Sequence, residues 1–177
     1  MAQAHHPRRS LLIGTFLLAT AASAQTEPLI LTTEVLPPYS ASYVDYFTGV
    51  TTIFITINNT SQENRSIYLA GSLATIDESV SAVVDGGTPW SAPPLEVPPG
   101  VHQFTGGDLQ PFVAGGDGNV QLTGITQDQI TAGVLPEGEY RICLRAFDYT
   151  TNEVLSAPEP LGCSNIFSVE QPAPPFL

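Results

Sequence analysis

The chain has 177 residues, enough for one domain and hardly for two; 42% of them are apolar and 12% are charged. With 15 Gly and 16 Pro, the composition disfavours a helix bundle or a large α/β enzyme and suits an all-β domain with many turns. There are 17 acidic residues against 5 basic ones, all Arg, so the formal charge of −12 argues against nucleic acid as a partner.

The amino-terminal segment, residues 1–24, has the organisation of a secretory signal peptide. Two arginines precede an apolar stretch over residues 11–20, and the small residues Ala22 and Ala24 predict a cleavage site before Gln25. A transmembrane anchor is the weaker alternative, because the apolar stretch is too short to span a bilayer. We therefore expect a secreted or cell-surface protein without a membrane span.

Removal of that segment leaves Arg65, Arg141 and Arg145 against all 17 acidic residues. Dense carboxylates keep a protein soluble and apart from its copies, and the lack of Lys also fits a GC-rich or salt-adapted genome. A solvated surface is the simpler interpretation of this charge. A surface that recruits a cation or a basic partner is the alternative.

Two cysteines, Cys143 and Cys163, follow the cleavage site. An even count in an oxidising compartment predicts a disulfide rather than two free thiols, and closing this loop should stabilise the fold by about 3 kcal/mol. A zinc site or a catalytic thiol is disfavoured because His102 is the only histidine left after export.

Alternation of apolar and polar residues with a period of two predicts a series of short strands. A polar, turn-like segment separates the second predicted strand from the third, so we expect these two to form a hairpin. The predicted strands cover residues 29–36, 50–58, 66–76, 80–84, 135–149 and 164–169.

Other segments interrupt the strand pattern. Residues 88–100 are rich in proline, which predicts an extended edge or a crossing loop rather than a central strand. Thr126 and Gln129 have the spacing of a capping box, which predicts a short helix ending at Gly133. Residues 107–110 are a candidate for one more helical turn.

The last third of the chain contains the sequence LPEGEYRICLRAFDY at residues 135–149. A Leu-Pro-x-Gly turn that leads into Tyr140 at the start of a strand is typical of the tyrosine corner of immunoglobulin-like and fibronectin type III-like sandwiches. We therefore predict an all-β, single immunoglobulin-like β-sandwich over residues 25–170, with one or two short helical turns. Residues 171–177 form a stiff Pro-rich tail in this prediction.

Segments spread over nearly the whole exported chain resemble the TANFOR domain of Bacteroidetes surface proteins. The late cysteine pair and the LPEG corner are the most specific features of this resemblance. It implies exported material associated with gliding or type IX secretion rather than an enzyme, and it assigns no activity to particular residues. The segments are VLPPYSASYVDYF (35–47), FTGGDLQPF (104–112), LPEGEYRICLRAFDY (135–149), GCSNIF (162–167) and the terminal PAPPF.

In the TANFOR family the domain precedes repeated fibronectin-like modules. This sequence ends after its Pro-rich segment, so we expect the protein to act alone or to assemble with other chains.

Candidate metal and catalytic residues are few. Asp85, Asp117 and Asn119 lie in Gly-rich turns and are weak calcium candidates, with ordinary hairpin turns as the alternative. The adjacent acids at 77–78 and at 137 and 139 are interpreted as solvated turn residues. The sequence contains no phosphate-binding glycine loop, nucleophile elbow or metalloprotease helix. We therefore predict no enzyme, no catalytic residue and no cofactor other than possible calcium.

The predicted function is that of a structural or adhesive surface module, which pairs with copies of itself or with other surface proteins through the edges of its sheets. The alternative is a carbohydrate-binding module that contacts a glycan through Trp90, Tyr39, Tyr43 and Tyr46. Exposure of these aromatic side chains on one face would favour binding, whereas burial would favour a scaffold.

Overall fold

The computed structural model describes residues 27–48, 53–84, 93–113 and 120–171. In these ranges the chain forms nine strands and three short helices. The predicted signal peptide lies outside the described residues, as do residues 172–177. The elements are β1 (Leu29–Val35), α1 (Tyr43–Thr48), β2 (Ile53–Asn59), β3 (Arg65–Thr75), β4 (Ser81–Val84), β5 (Leu95–Val97), β6 (Gly100–Thr105), α2 (Gly106–Val113), β7 (Val120–Thr123), α3 (Gln127–Ala132), β8 (Gly138–Asp148) and β9 (Phe167–Val169).

The strands form two antiparallel sheets whose inner faces enclose one hydrophobic core. The smaller sheet has the order β1-β2-β6, and the larger sheet has the order β7-β4-β3-β8-β9, with β5 pairing with the start of β3. The predicted all-β sandwich is therefore confirmed. The larger sheet extends further to one side than the smaller sheet.

The alternation of side chains explains how the strands share one core. Ile53, Ile55 and Ile57 of β2 are all buried, as the period of two predicted, and they face the larger sheet. The same alternation in β1 buries every second residue from Leu29 to Val35. The bounds of the six predicted strands agree with the structure to within about three residues because this signal is local, whereas β6 and β7 were not predicted as strands.

The predicted hairpin between the second and third strands is wrong, because β2 and β3 belong to different sheets. The segment between them folds around the buried Asn59. Its side-chain amide donates hydrogen bonds to the carbonyl oxygens of Glu63 at 2.8 Å and Val97 at 2.9 Å, and its Oδ1 accepts one from the Ser61 amide at 3.0 Å. These bonds shape the segment into an arch that crosses between the sheets.

The described part of the Pro-rich segment, residues 93–100, forms a short edge strand and then a connection between the two sheets, as predicted. Leu95 and Val97 of β5 are buried, and β5 pairs with the first three residues of β3. Pro98 and Pro99 then carry the chain to β6 in the other sheet.

Two of the helices match predicted positions. Thr126 caps α3 in a reciprocal capping box with Gln129, and Gly133 ends this helix. Around residues 107–110 the structure has a longer helix, α2, where a single turn was expected.

The helix α1 was not predicted. It follows a turn at Ser40, whose hydroxyl accepts a hydrogen bond from the Ser42 amide at 3.0 Å. The Tyr46 hydroxyl donates to the Ser40 carbonyl at 2.8 Å and so holds the first turn against the preceding loop.

Candidate functional site

One side of the sandwich is closed by the chain itself. The segment between β8 and β9 lies along the free edge of β1, where the Leu29 amide donates to the Leu155 carbonyl at 3.0 Å. The Val35 amide donates to Asn165 Oδ1 at 2.9 Å, and Asn165 Nδ2 donates back to the Val35 carbonyl at 3.0 Å. Thr33 adds a hydrogen bond to the same segment. We call this edge and the segment that covers it, residues 155–165, the closed side.

A disulfide fixes the covering segment. Cys143 of β8 and Cys163 form the predicted bond, with an S–S distance of 2.07 Å. It ties β8 to the segment that precedes its partner strand β9. In the described part of the chain, the only grouping of possible metal ligands consists of these cysteines and Glu159. Since both sulfur atoms are bonded to each other, this group offers no thiolate for a metal.

Tyr140 forms the predicted tyrosine corner at the start of β8. Its ring is fully buried, and its hydroxyl donates a hydrogen bond to the Pro136 carbonyl at 2.9 Å. Burial, followed by the nearby charge of Asp77, raises the pKa of Tyr140 to about 12, so the hydroxyl stays protonated and keeps donating. This residue is structural.

The tyrosines considered as glycan contacts do not share an exposed face. Tyr39 and Tyr46 pack against Phe167 of the core, with ring centroids 5.6 Å and 5.7 Å from it. Burial raises the pKa of Tyr46 to about 12. Tyr43 is exposed, and Trp90 lies outside the described residues. The positions of Tyr39 and Tyr46 therefore favour core packing over ligand contact.

The calcium candidates Asp85, Asp117 and Asn119 also lie outside the described residues. Among the acids interpreted as turn residues, Asp77 accepts hydrogen bonds from the Ser79 amide at 3.1 Å and the Ser79 hydroxyl at 2.7 Å. Hydrogen bonds from the Thr75 hydroxyl, and then from Ser79, lower the pKa of Asp77 to about 2. Asp77 thus stabilises its own turn.

On the other side of the sandwich, two strand edges have no covering segment among the residues that the structure describes. β6 is the last strand of the smaller sheet and β7 is the last strand of the larger one. Neither strand contains Asp, Glu, Lys, Arg or Pro, and the ring of His102 in β6 lies within hydrogen-bond distance of the Pro98 carbonyl, at 3.0 Å. Val101 of β6 is 68% exposed, and every residue of β7 is exposed. We call β6, β7 and the space between them the open side.

An apolar cleft of about 420 Å³ lies between the sheets on the open side. Its walls are the inner face of the larger sheet, part of β2, and residues of all three helices. Sequence reasoning missed this feature. The only local signal was the alternation of Val120 and Leu122 with polar residues in β7.

In the described ranges, no helix is long and apolar enough to cross a membrane. No protein-family model, no curated protein and no solved structure matches the chain. The resemblance to the TANFOR domain therefore stays a prediction.

Proposed function

We propose that this protein is a secreted, non-catalytic module that serves a structural or adhesive role in surface assemblies. In this proposal an extended partner segment adds a strand to the outer edge of β6. The observation that supports the proposal is that this edge has outward-facing backbone groups and, within the described ranges, no Asp, Glu, Lys, Arg or Pro and no covering segment. The amino-terminal signal pattern and the disulfide support an extracytoplasmic location.

The direction of the backbone groups in β6 follows from its last residue. The Thr105 amide donates to Asp108 Oδ2 at 2.8 Å and thus points away from β2. Hydrogen bonds from the Thr105 hydroxyl and amide also lower the pKa of Asp108 below its ordinary value. Because amide directions alternate along a strand, the amides and carbonyls of Val101 and Gln103 also point outward.

Natural sheet edges are commonly protected by charged side chains, prolines or a covering segment. β6 has none of Asp, Glu, Lys, Arg and Pro, and His102 is its one ionisable residue, whereas β1 is covered by residues 155–165. A partner strand at β6 would gain main-chain hydrogen bonds with Val101 and Gln103, together with apolar contact at the Val101 side chain.

The partner in this proposal is another copy or another surface protein. The Pro-rich residues 172–177 are the candidate strand within the chain, because their composition favours an extended conformation whose carbonyl oxygens can accept hydrogen bonds from the outward amides of β6, although its three prolines donate none. Gln171 immediately before them donates a side-chain hydrogen bond to the Leu135 carbonyl at 2.7 Å.

Sedimentation velocity over a range of concentrations tests the proposal on the chain from Gln25 onward. We expect concentration-dependent assembly that Gln103→Lys weakens, since an inserted charge blocks strand addition. Thr32→Lys is the matched control, because it places the same charge on an exposed residue of the covered strand β1. The proposal would be contradicted if Gln103→Lys assembled as well as the unmodified protein. It would also be contradicted if the unmodified protein were a monomer at every concentration.

A chain shortened to end at Gln171 tests the identity of the strand. Loss of assembly would support residues 172–177 as the added strand. Assembly that survives the truncation but is sensitive to Gln103→Lys would contradict this assignment and would point to a different partner segment at the same edge.

A further inference from the structure

The cleft on the open side originates from the unequal widths of the sheets. β4 and β7 extend the larger sheet beyond the three strands of the smaller one, so no described strand faces their inner surface. In the register of these two strands, Ala82 lies opposite Leu122 and Val84 lies opposite Val120, and all four side chains line the cleft. Val120 and Leu122 remain 44% and 43% exposed, which leaves an apolar rim at the mouth.

The cleft extends across the strands of the larger sheet. Every strand on the main path of the larger sheet contributes to its wall, from Phe167 of β9 at one end to Leu122 of β7 at the other. Neighbouring strands are about 4.8 Å apart and facing sheets about 10 Å apart, so the wall runs for roughly 19 Å across the strands. This shape suits an unbranched chain better than a compact ring system.

The chemistry of the wall is almost purely apolar. Among the described lining residues none is charged. The hydroxyl of Tyr46 already donates to the Ser40 carbonyl, and Tyr43 is at the exposed surface. Water inside would find few hydrogen-bond partners, and apolar cavities of about 150 Å³ already take up small hydrocarbons.

We infer that the cleft binds a single unbranched aliphatic chain whose uncharged polar head stays at the mouth. Its volume of about 420 Å³ lies in the range of small-molecule sites. A charged head is disfavoured because none of the described lining residues offers a counter-charge of either sign, and the formal charge of −12 adds repulsion for an anionic head. A peptide that added to β7 would run along the strands and would contact the mouth alone, whereas the cleft runs across them. The inference is independent of strand pairing at β6.

Titration with the neutral fluorophore N-phenylnaphthylamine tests the inference on the chain from Gln25 onward. We expect saturable binding of one fluorophore per chain, and displacement by dodecanol at lower concentration than by dodecanoate. Absence of saturable binding would overturn the inference. A cleft that is filled by other parts of the chain would give this result. Stronger displacement by dodecanoate would overturn the assignment of an uncharged head.

Matched variants locate the binding. Leu122→Glu puts a charge on the rim and should weaken fluorophore binding by about tenfold or more, since a charge in an apolar site costs well over 1.4 kcal/mol. Gln121→Glu makes the same charge on the opposite face of β7 and should leave binding unchanged. A second pair lies on β4. Ala82→Phe fills the cleft and should weaken fluorophore binding, whereas Val83→Phe faces away from the cleft and should leave binding unchanged. Equal binding by both members of each pair would place the fluorophore elsewhere and overturn the inference.

Discussion

The closed side and the open side of the sandwich differ in what covers the edges of the sheets. On the closed side, the free edge of β1 is bound by residues 155–165 through main-chain and side-chain hydrogen bonds, and a disulfide holds that segment in place. On the open side, β6 and β7 end their sheets without Asp, Glu, Lys, Arg or Pro, and an apolar cleft lined by β7 and β2 lies between the sheets. Among the described residues, the disulfide and the hydrogen bonds that cover a sheet edge thus lie on the same side.

This difference indicates which side of the described fold is available to a partner. An uncovered strand edge is a hazard for a soluble protein unless it has a partner. The chain uses its own residues to cover one edge, so the lack of protection at β6 is not a general property of the molecule. The closed side should therefore control stability, and the open side should control binding.

The largest expected effect comes from the disulfide of the closed side. Replacement of both Cys143 and Cys163 by Ser should lower the free energy of unfolding by about 3 kcal/mol, because the loop between them becomes unconstrained in the unfolded chain. Urea unfolding measures the loss. The unmodified protein under reducing conditions is the control and should match the variant. A loss that is close to zero would mean that the closed side does not depend on this bond.

A pair of glycine variants compares the two sides directly. Gly162 has a φ of +83°, and a Cβ there would lie 2.3 Å from the Leu144 carbonyl oxygen, whereas Gly100 has a φ of +104° with nothing within 4 Å of its Cβ position. Both alanine variants carry backbone strain, but only Gly162→Ala adds a steric clash. We expect Gly162→Ala to cost about 2 kcal/mol more than Gly100→Ala in urea unfolding. Equal losses of unfolding free energy in the two variants would contradict the proposed difference in packing between the two sides.

The tyrosine corner should give a smaller effect. Tyr140→Phe removes the hydrogen bond to the Pro136 carbonyl and should cost about 1 kcal/mol of unfolding free energy. Tyr43→Phe on the exposed surface should stay within about 0.5 kcal/mol of the unmodified protein. If the two variants lose the same unfolding free energy, the hydrogen bond of the tyrosine corner does not contribute to stability as proposed.

The smallest expected effect is a pH dependence in the turn after β3. Because hydrogen bonds lower the pKa of Asp77 from 3.8 to about 2, its contribution is fully present above pH 3.8 and is lost as the pH falls towards 2. Asp77→Asn should therefore flatten the acid limb of a stability profile measured by thermal unfolding. Glu78→Gln, which leaves the Asp77 carboxylate in place, is the control. An unchanged acid limb in Asp77→Asn would contradict the assignment.

The sequence allowed the strands to be predicted more successfully than their partners. The alternation in β1, β2, β3 and β8 is a local signal, and the capping box of α3 lies within four residues. The hairpin between β2 and β3 was wrong because Asn59 bonds to Val97, far along the chain, and because β1 and β6 are the partners of β2. Helix α1 was missed because Tyr46 is held by the core ring of Phe167, which no local pattern reveals.

The distinction between local and non-local signals also applies to the site residues. Cys143, Cys163 and Tyr140 could be predicted because a cysteine count and a turn motif identify them. The open edges and the cleft could not, because they depend on how many strands each sheet contains. That number follows from non-local pairing, such as the addition of β7 to β4.

Amide hydrogen exchange, resolved to single residues, tests most directly whether the two sides differ and whether β6 is the site of pairing. In the dilute monomer, the account predicts slow exchange at Leu29 and Val35 and fast exchange at Val101 and Gln103. At concentrations where the protein assembles, Val101 and Gln103 should become protected, while Leu29 and Val35 stay unchanged. The account would be contradicted if the β6 and β1 amides were equally protected in the monomer. It would also be contradicted if the β6 amides gained no protection on assembly.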